Sequence, residues 1–208
     1  MEFKLTNIAG RLFFVVVLFT IDVTNTYCSP LWDSFLQNPT SEHFAALKST
    51  DLSSQQLCNQ SNQLTYSQTD KLFQYVSNGN AEALRAAVLI SECFDGGNLE
   101  DYYRSTGIYF TKHPSNFIRV IYEERVSDND LQYMVTMLPL SLVDNLEGQR
   151  CEINKRMTLL EQIDNPMFAK IKDKLLAYLE QAKVKYPGRE QCRNPIRRRQ
   201  PPYHAHTT

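Results

Sequence analysis

Apolar residues return every three or four positions from Phe44 to Ala182, and no stretch keeps the two-residue alternation of a strand. That period commits the chain to helices, because only a helix brings positions three and four apart onto one face. The runs are also punctuated. Thr40 is placed to cap a helix carrying Phe44 and Leu47, and Ser67 to cap one carrying Leu72, Phe73 and Val76. Asn78-Gly79 stops that second run. Asn80 then opens "NAEALRAAVLISECF", which is apolar nearly all round. A helix apolar on every face belongs at the centre of a fold. Pro114 ends the next helix, and Ser115 and Ser127 are placed to cap the two that follow. A further segment carries Ile153, Met157 and Leu160. Asn165-Pro166 opens the last, with a stripe of Phe168, Ile171, Leu175, Tyr178, Leu179 and Ala182.

The expected class is all-α, with about seven helices. Short links make consecutive helices antiparallel neighbours, in a bundle or a short right-handed stack of hairpins. Residues 67–126 are similar in style to α-helical repeats of the HEAT sort, though no consensus repeats. Within them "CFDGGNLEDYY" gathers acids, an Asn and two glycines. It reads as a corner: Gly96-Gly97 ends one helix, Asn98 caps the next, and Glu100 and Asp101 fall in its first turn. The spacing fits neither a calcium loop nor a phosphate loop.

Both ends differ from this body. Residues 12–21 form an uncharged apolar run behind Lys4 and Arg11, with a polar stretch after it. That order is a secretory signal peptide, expected over residues 1–28. The run has 10 residues, against about 20 to cross a bilayer. A single helical domain is expected over 29–185, and a Pro- and Arg-rich tail over 186–208. From Lys183 onward seven Lys or Arg meet one Glu, while residues 29–182 carry a net charge of −7. An export signal and an acidic body argue against nucleic acid as a partner. With Cys28 lost in the leader, Cys58, Cys93, Cys151 and Cys192 remain. In an oxidising compartment these form disulfides, with Cys58–Cys93 and Cys151–Cys192 preferred because each ties neighbouring segments. No two of them lie close enough for a zinc site, and no metal or cofactor is expected.

Candidate chemistry is sparse. His43 and His113 are the body's two histidines, and no G-x-S-x-G occurs. His113 sits where an imidazole meets a helix C-terminus. Glu123 with Glu124, Asp128 with Asp130, and Glu100 with Asp101 are acid pairs that read as solvated surface. Tyr102, Tyr103, Tyr109, Tyr122 and Tyr133 cluster in the middle third, and tyrosine suits a binding surface. In the tail, Arg193, Arg197, Arg198 and Arg199 form a basic arm for an anionic surface. The resulting expectation is a secreted or periplasmic, non-enzymatic module that binds another protein, in the style of inhibitor or immunity proteins. A hydrolase with carboxylates between helical hairpins is the second reading, and an envelope component tethered by its tail the third.

Overall fold

The computed structural model describes residues 30–49 and 64–185, and all their regular structure is helical. Among the described residues nine α-helices run in order: α1 Pro30–Gln37, α2 Ser41–Lys48, α3 Tyr66–Ser77, α4 Ala81–Leu89, α5 Gly96–Lys112, α6 Pro114–Glu123, α7 Asp128–Thr136, α8 Leu146–Glu161 and α9 Ala169–Val184. Short 3-10 turns lie at Ser91–Cys93, Leu140–Leu142 and Pro166–Phe168. The count exceeds the expected seven partly through α1. Its eight residues are too short to announce a period, yet Trp32, Phe35 and Leu36 are all buried.

Most boundaries follow the capping chemistry. The side chains of Thr40, Asn80 and Ser127 accept from the backbone N–H three residues on, as expected. Three caps differ. α3 starts from Thr65, not Ser67, because Gln68 returns a hydrogen bond to the Thr65 N–H and completes a reciprocal box. α5 starts at Gly96 behind Asp95, so Asn98 is inside the helix and Glu100 and Asp101 lie beyond its first turn, against Arg104. α6 starts at Pro114, where a missing N–H costs nothing, rather than after Ser115. The chain does turn here between the Ser91–Cys93 3-10 turn and α5, with Gly96 at φ +45°.

The helices pack in two rows. α1, α3, α5, α7 and α9 follow one another in the first, and α2, α4 and α6 in the second. α9 also touches α6, and α8 packs on α9 and α5. The centre is therefore α5, between α3 and α7, and not α4 as its composition suggested. α4 leaves Val88 and Leu89 half-buried and gives Glu82 and Arg85 to an ion-pair network with Glu123 and Glu124, whereas α5 buries Tyr102, Tyr103, Thr106, Tyr109 and Phe110. Rings run from α3 through α5 to α7. Phe73 meets Phe94 at 5.2 Å, Phe94 meets Tyr102 at 5.5 Å, and Tyr103 stacks on Tyr133 at 5.1 Å. Each fully buried Phe, Leu or Ile contributes about 1.5–3 kcal/mol.

A buried arginine joins α5, α7 and α8. The Arg156 side chain is fully buried. Its Nη1 donates to the Val135 and Met137 carbonyls at 2.7 and 2.9 Å, and its Nε to Glu152 at 3.2 Å. It thereby satisfies carbonyls that α7 leaves open at its C-terminus. Thr111 of α5 donates to the same Glu152 oxygen at 2.7 Å. Gly107 makes the approach feasible, since a Cβ there would lie 2.8 Å from the Met137 oxygen and 3.0 Å from Arg156 Nη2. Burial pulls the Arg156 guanidinium below its ordinary range, and Glu152 opposes that.

Cys93 and Cys151 are each disulfide-bonded. Their expected other halves, Cys58 and Cys192, lie outside the described residues, as do the leader and the arginine tail.

Candidate functional site

Three of the five tyrosines expected at a binding surface are core residues. Tyr102 and Tyr109 are fully buried and Tyr103 is 5% exposed. Burial raises the proton affinity of all three phenols, and Tyr103 also donates to Asp130 Oδ1 at 2.6 Å. α5 is the hub of the fold, so its tyrosines meet other helices of the same chain. Tyr122 and Tyr133 are exposed, at 47% and 44%. Tyr133 lies flat on Tyr103, while Tyr122 meets Phe168 edge-on at 5.5 Å. The two histidines are also structural. The His43 ring bonds the Asn38 carbonyl at 2.7 Å, and His113 closes α5 with its ring 5.4 Å from that of Tyr109.

Glu100, Glu123 and Asp128 are exposed as the sequence suggested, whereas Asp101, Glu124 and Asp130 are partly buried, and the pairs are tied into the fold by ion pairs and hydrogen bonds. Glu123 and Glu124 both grip Arg85 of α4, and Glu124 also accepts from Lys48 of α2 at 2.7 Å. Glu82 lies 3.7 Å from the same guanidinium. Burial lowers the Arg85 proton affinity, but its bonds to Glu123 and Glu124 outweigh this and raise it overall. This network ties α2, α4 and α6. Asp130 accepts from Tyr103 and from the Ser127 hydroxyl, one bond to each oxygen. Asp128 accepts from Lys174 at 2.7 Å.

Three hollows open among the described residues. One of about 270 Å³ lies between the end of α4 and the α6–α7 link, where Glu92, Glu124 and Asp130 approach Ser91 and Ser127. Glu124 and Asp130 are already committed there to Arg85, Lys48, Tyr103 and Ser127. A wider one of about 420 Å³ lies between α3 and α5 beside Leu140. Asp70 and Asp101 line it, with Arg104, which pairs with Glu100 and Asp101.

The third, of about 230 Å³, is different in kind. It lies where the end of α6, the start of α7 and the start of α9 meet. Val126 and Ile171, half-buried, make an apolar floor over the core residues Ile121 and Leu131, Tyr122 and Met167 stand exposed beside it, and Arg125, Lys170 and Lys174 surround it with Asp128. Arg125 and Lys170 form no ion pair among the described residues. Only Lys174 is neutralised, and its bond to Asp128 raises its proton affinity. Arg125 has φ +54° because it ends α6: the Val126 N–H donates to the Ile121 carbonyl at 3.2 Å around it, a helix C-terminal turn more often given to glycine. A net positive rim on a body of net charge −7 makes this groove the candidate site.

Sequence reasoning missed Arg85, Arg104, Arg156 and the groove's cations. Arg156 did carry a signal, since it lies three residues after Ile153 and four before Leu160, on the apolar face of α8. A second apolar surface, Leu140, Val143 and Leu146 on the α7–α8 link, is exposed by 55–63%. Among the described residues no helix is long and apolar enough to cross a membrane. Comparison with protein-family models, curated proteins and solved structures finds no match.

Proposed function

We propose that the chain is an exported, non-enzymatic helical module that docks another protein on the α6–α7–α9 groove. The observation that carries this reading is the apolar floor bordered by Arg125 and Lys170, which form no ion pair among the described residues. Burial of a few apolar anchors inside a polar rim is how protein interfaces obtain affinity. Among the clustered tyrosines, Tyr122 lines this groove. The division into leader, body over 29–185 and basic tail, a secreted or periplasmic location, and the Cys58–Cys93 and Cys151–Cys192 pairing belong to the same proposal. So does a right-handed, HEAT-like course of the two rows.

The test is affinity capture from the organism's own envelope extract, with the wild-type chain and a double charge reversal, Arg125→Glu with Lys170→Glu. We expect a protein retained by the wild type and lost from the variant. Equal capture by both would overturn the role of the groove.

One observation favours a second reading, a hydrolase. The 270 Å³ hollow does gather Glu92, Glu124 and Asp130. Against it, both Glu124 and Asp130 hold hydrogen bonds that fix the fold. Hydrolysis of polysaccharide or peptide that disappears in Glu92→Gln would support it.

A further inference from the structure

The groove's volume and charge together restrict what can occupy it. Pockets that enclose a drug-sized molecule measure about 300–1,000 Å³. At about 230 Å³ this one holds a few aliphatic side chains and leaves the rest of their bearer outside. The bearer then lies across the mouth, beside Tyr122 and Met167 and against the cations. Arg125 stands at the α6–α7 link and Lys170 in the first turn of α9, so these two charges come from different elements lining the apolar floor. A flat anionic membrane fits poorly, because the floor is recessed and the body around it carries excess negative charge.

We infer that the groove takes an acidic amphipathic helix of the partner protein, with apolar side chains against Val126, Met167 and Ile171 and carboxylates on Arg125 and Lys170. This rests on the docking reading above and names its occupant. The recognition mode is a helix laid into a groove and read through anchors one turn apart. The rim supplies orientation and rejection more than affinity: a basic helix with the same apolar stripe would bring like charges together. Lys174 adds little attraction while Asp128 holds it, so the discrimination lies with Arg125 and Lys170.

The test uses the full chain with labelled isoleucine and methionine methyl groups and two synthetic helical peptides. Both carry the same leucine spacing, one with glutamates on its polar face and one with lysines. We expect the glutamate peptide to shift the Ile171 and Met167 signals, and the lysine peptide to bind at least roughly tenfold more weakly. Arg125→Ala with Lys170→Ala should remove most of that difference, as should 0.5 M salt, which reduces the screening length to roughly 4 Å. Equal binding of the two peptides, no shift with either, or stronger shifts with anionic phosphatidylglycerol vesicles would each overturn the inference. The docking reading can fail separately. A captured protein lost on charge reversal, with no preference between the peptides, would keep the groove and discard the acidic helix.

Discussion

Arg156 and Arg125 mark two regions that treat the same side chain in opposite ways. Arg156 is wholly buried between helices, with two backbone carbonyls and Glu152 as acceptors. Arg125 is exposed on a link in a left-handed conformation, with no ion-pair partner among the described residues. The first arginine holds α7 and α8 against α5. The second contributes nothing comparable to cohesion. Removing a structural cation should therefore cost stability, and removing a groove cation should cost binding alone.

The largest effect is expected at Arg156. Arg156→Ala strands two carbonyls and the Glu152 carboxylate, and breaking a buried pair this way costs about 3–5 kcal/mol. Denaturant titration should show the midpoint fall accordingly, and an unchanged midpoint would break the contrast. Gly107→Ala attacks the same junction from α5. Its methyl would lie 2.8 Å from the Met137 oxygen, and such overpacking costs about 1–3 kcal/mol. Tyr103→Phe loses the bond to Asp130, worth about 1 kcal/mol.

The tyrosines also give a pH signature. Burial, with the Asp130 bond, raises the Tyr103 pKa in the folded chain above its ordinary 10.0. The folded chain keeps a proton that the unfolded chain gives up. The associated stability is complete below pH 10.0 and is lost as pH rises beyond it. Titrations at successive alkaline pH values should show that decline, and Tyr103→Phe should soften it. The smallest effect is expected at Arg125→Gly, which relieves a left-handed residue but loosens the unfolded chain. Stability should change by less than about 1 kcal/mol while partner binding falls.

The helices were legible because their signals are local. Ser127, Leu131, Met134 and Val135 lie within nine consecutive residues, enough to define α7 and its buried face. α1 was too short for such a signal. The placement of α5 was not local: it depends on α3 and α7 closing over Tyr102 and Tyr103 from either side. Tyrosine's fitness for interfaces was real, but the interfaces proved to be between helices of one chain. Likewise Arg85 meets Glu123 and Glu124 across 38 and 39 positions. Local charge patterning cannot register such a partner: Glu123 is exposed as expected, but Glu124 is largely covered. The groove floor is equally distributed, with Val126 on the α6–α7 link and Ile171 on α9, over Ile121 of α6 and Leu131 of α7.

The most direct measurement compares the two exposed apolar surfaces. A photoreactive phenylalanine analogue is placed in the full chain at Met167 beside the groove, or at Leu140 on the α7–α8 link. Each is irradiated in the envelope extract. We expect one protein to crosslink from Met167, through a segment rich in carboxylates, and to vanish with Arg125→Glu and Lys170→Glu. Crosslinking from Leu140 with none from Met167 would place the interface on the wrong side of the molecule and contradict the role given to the groove.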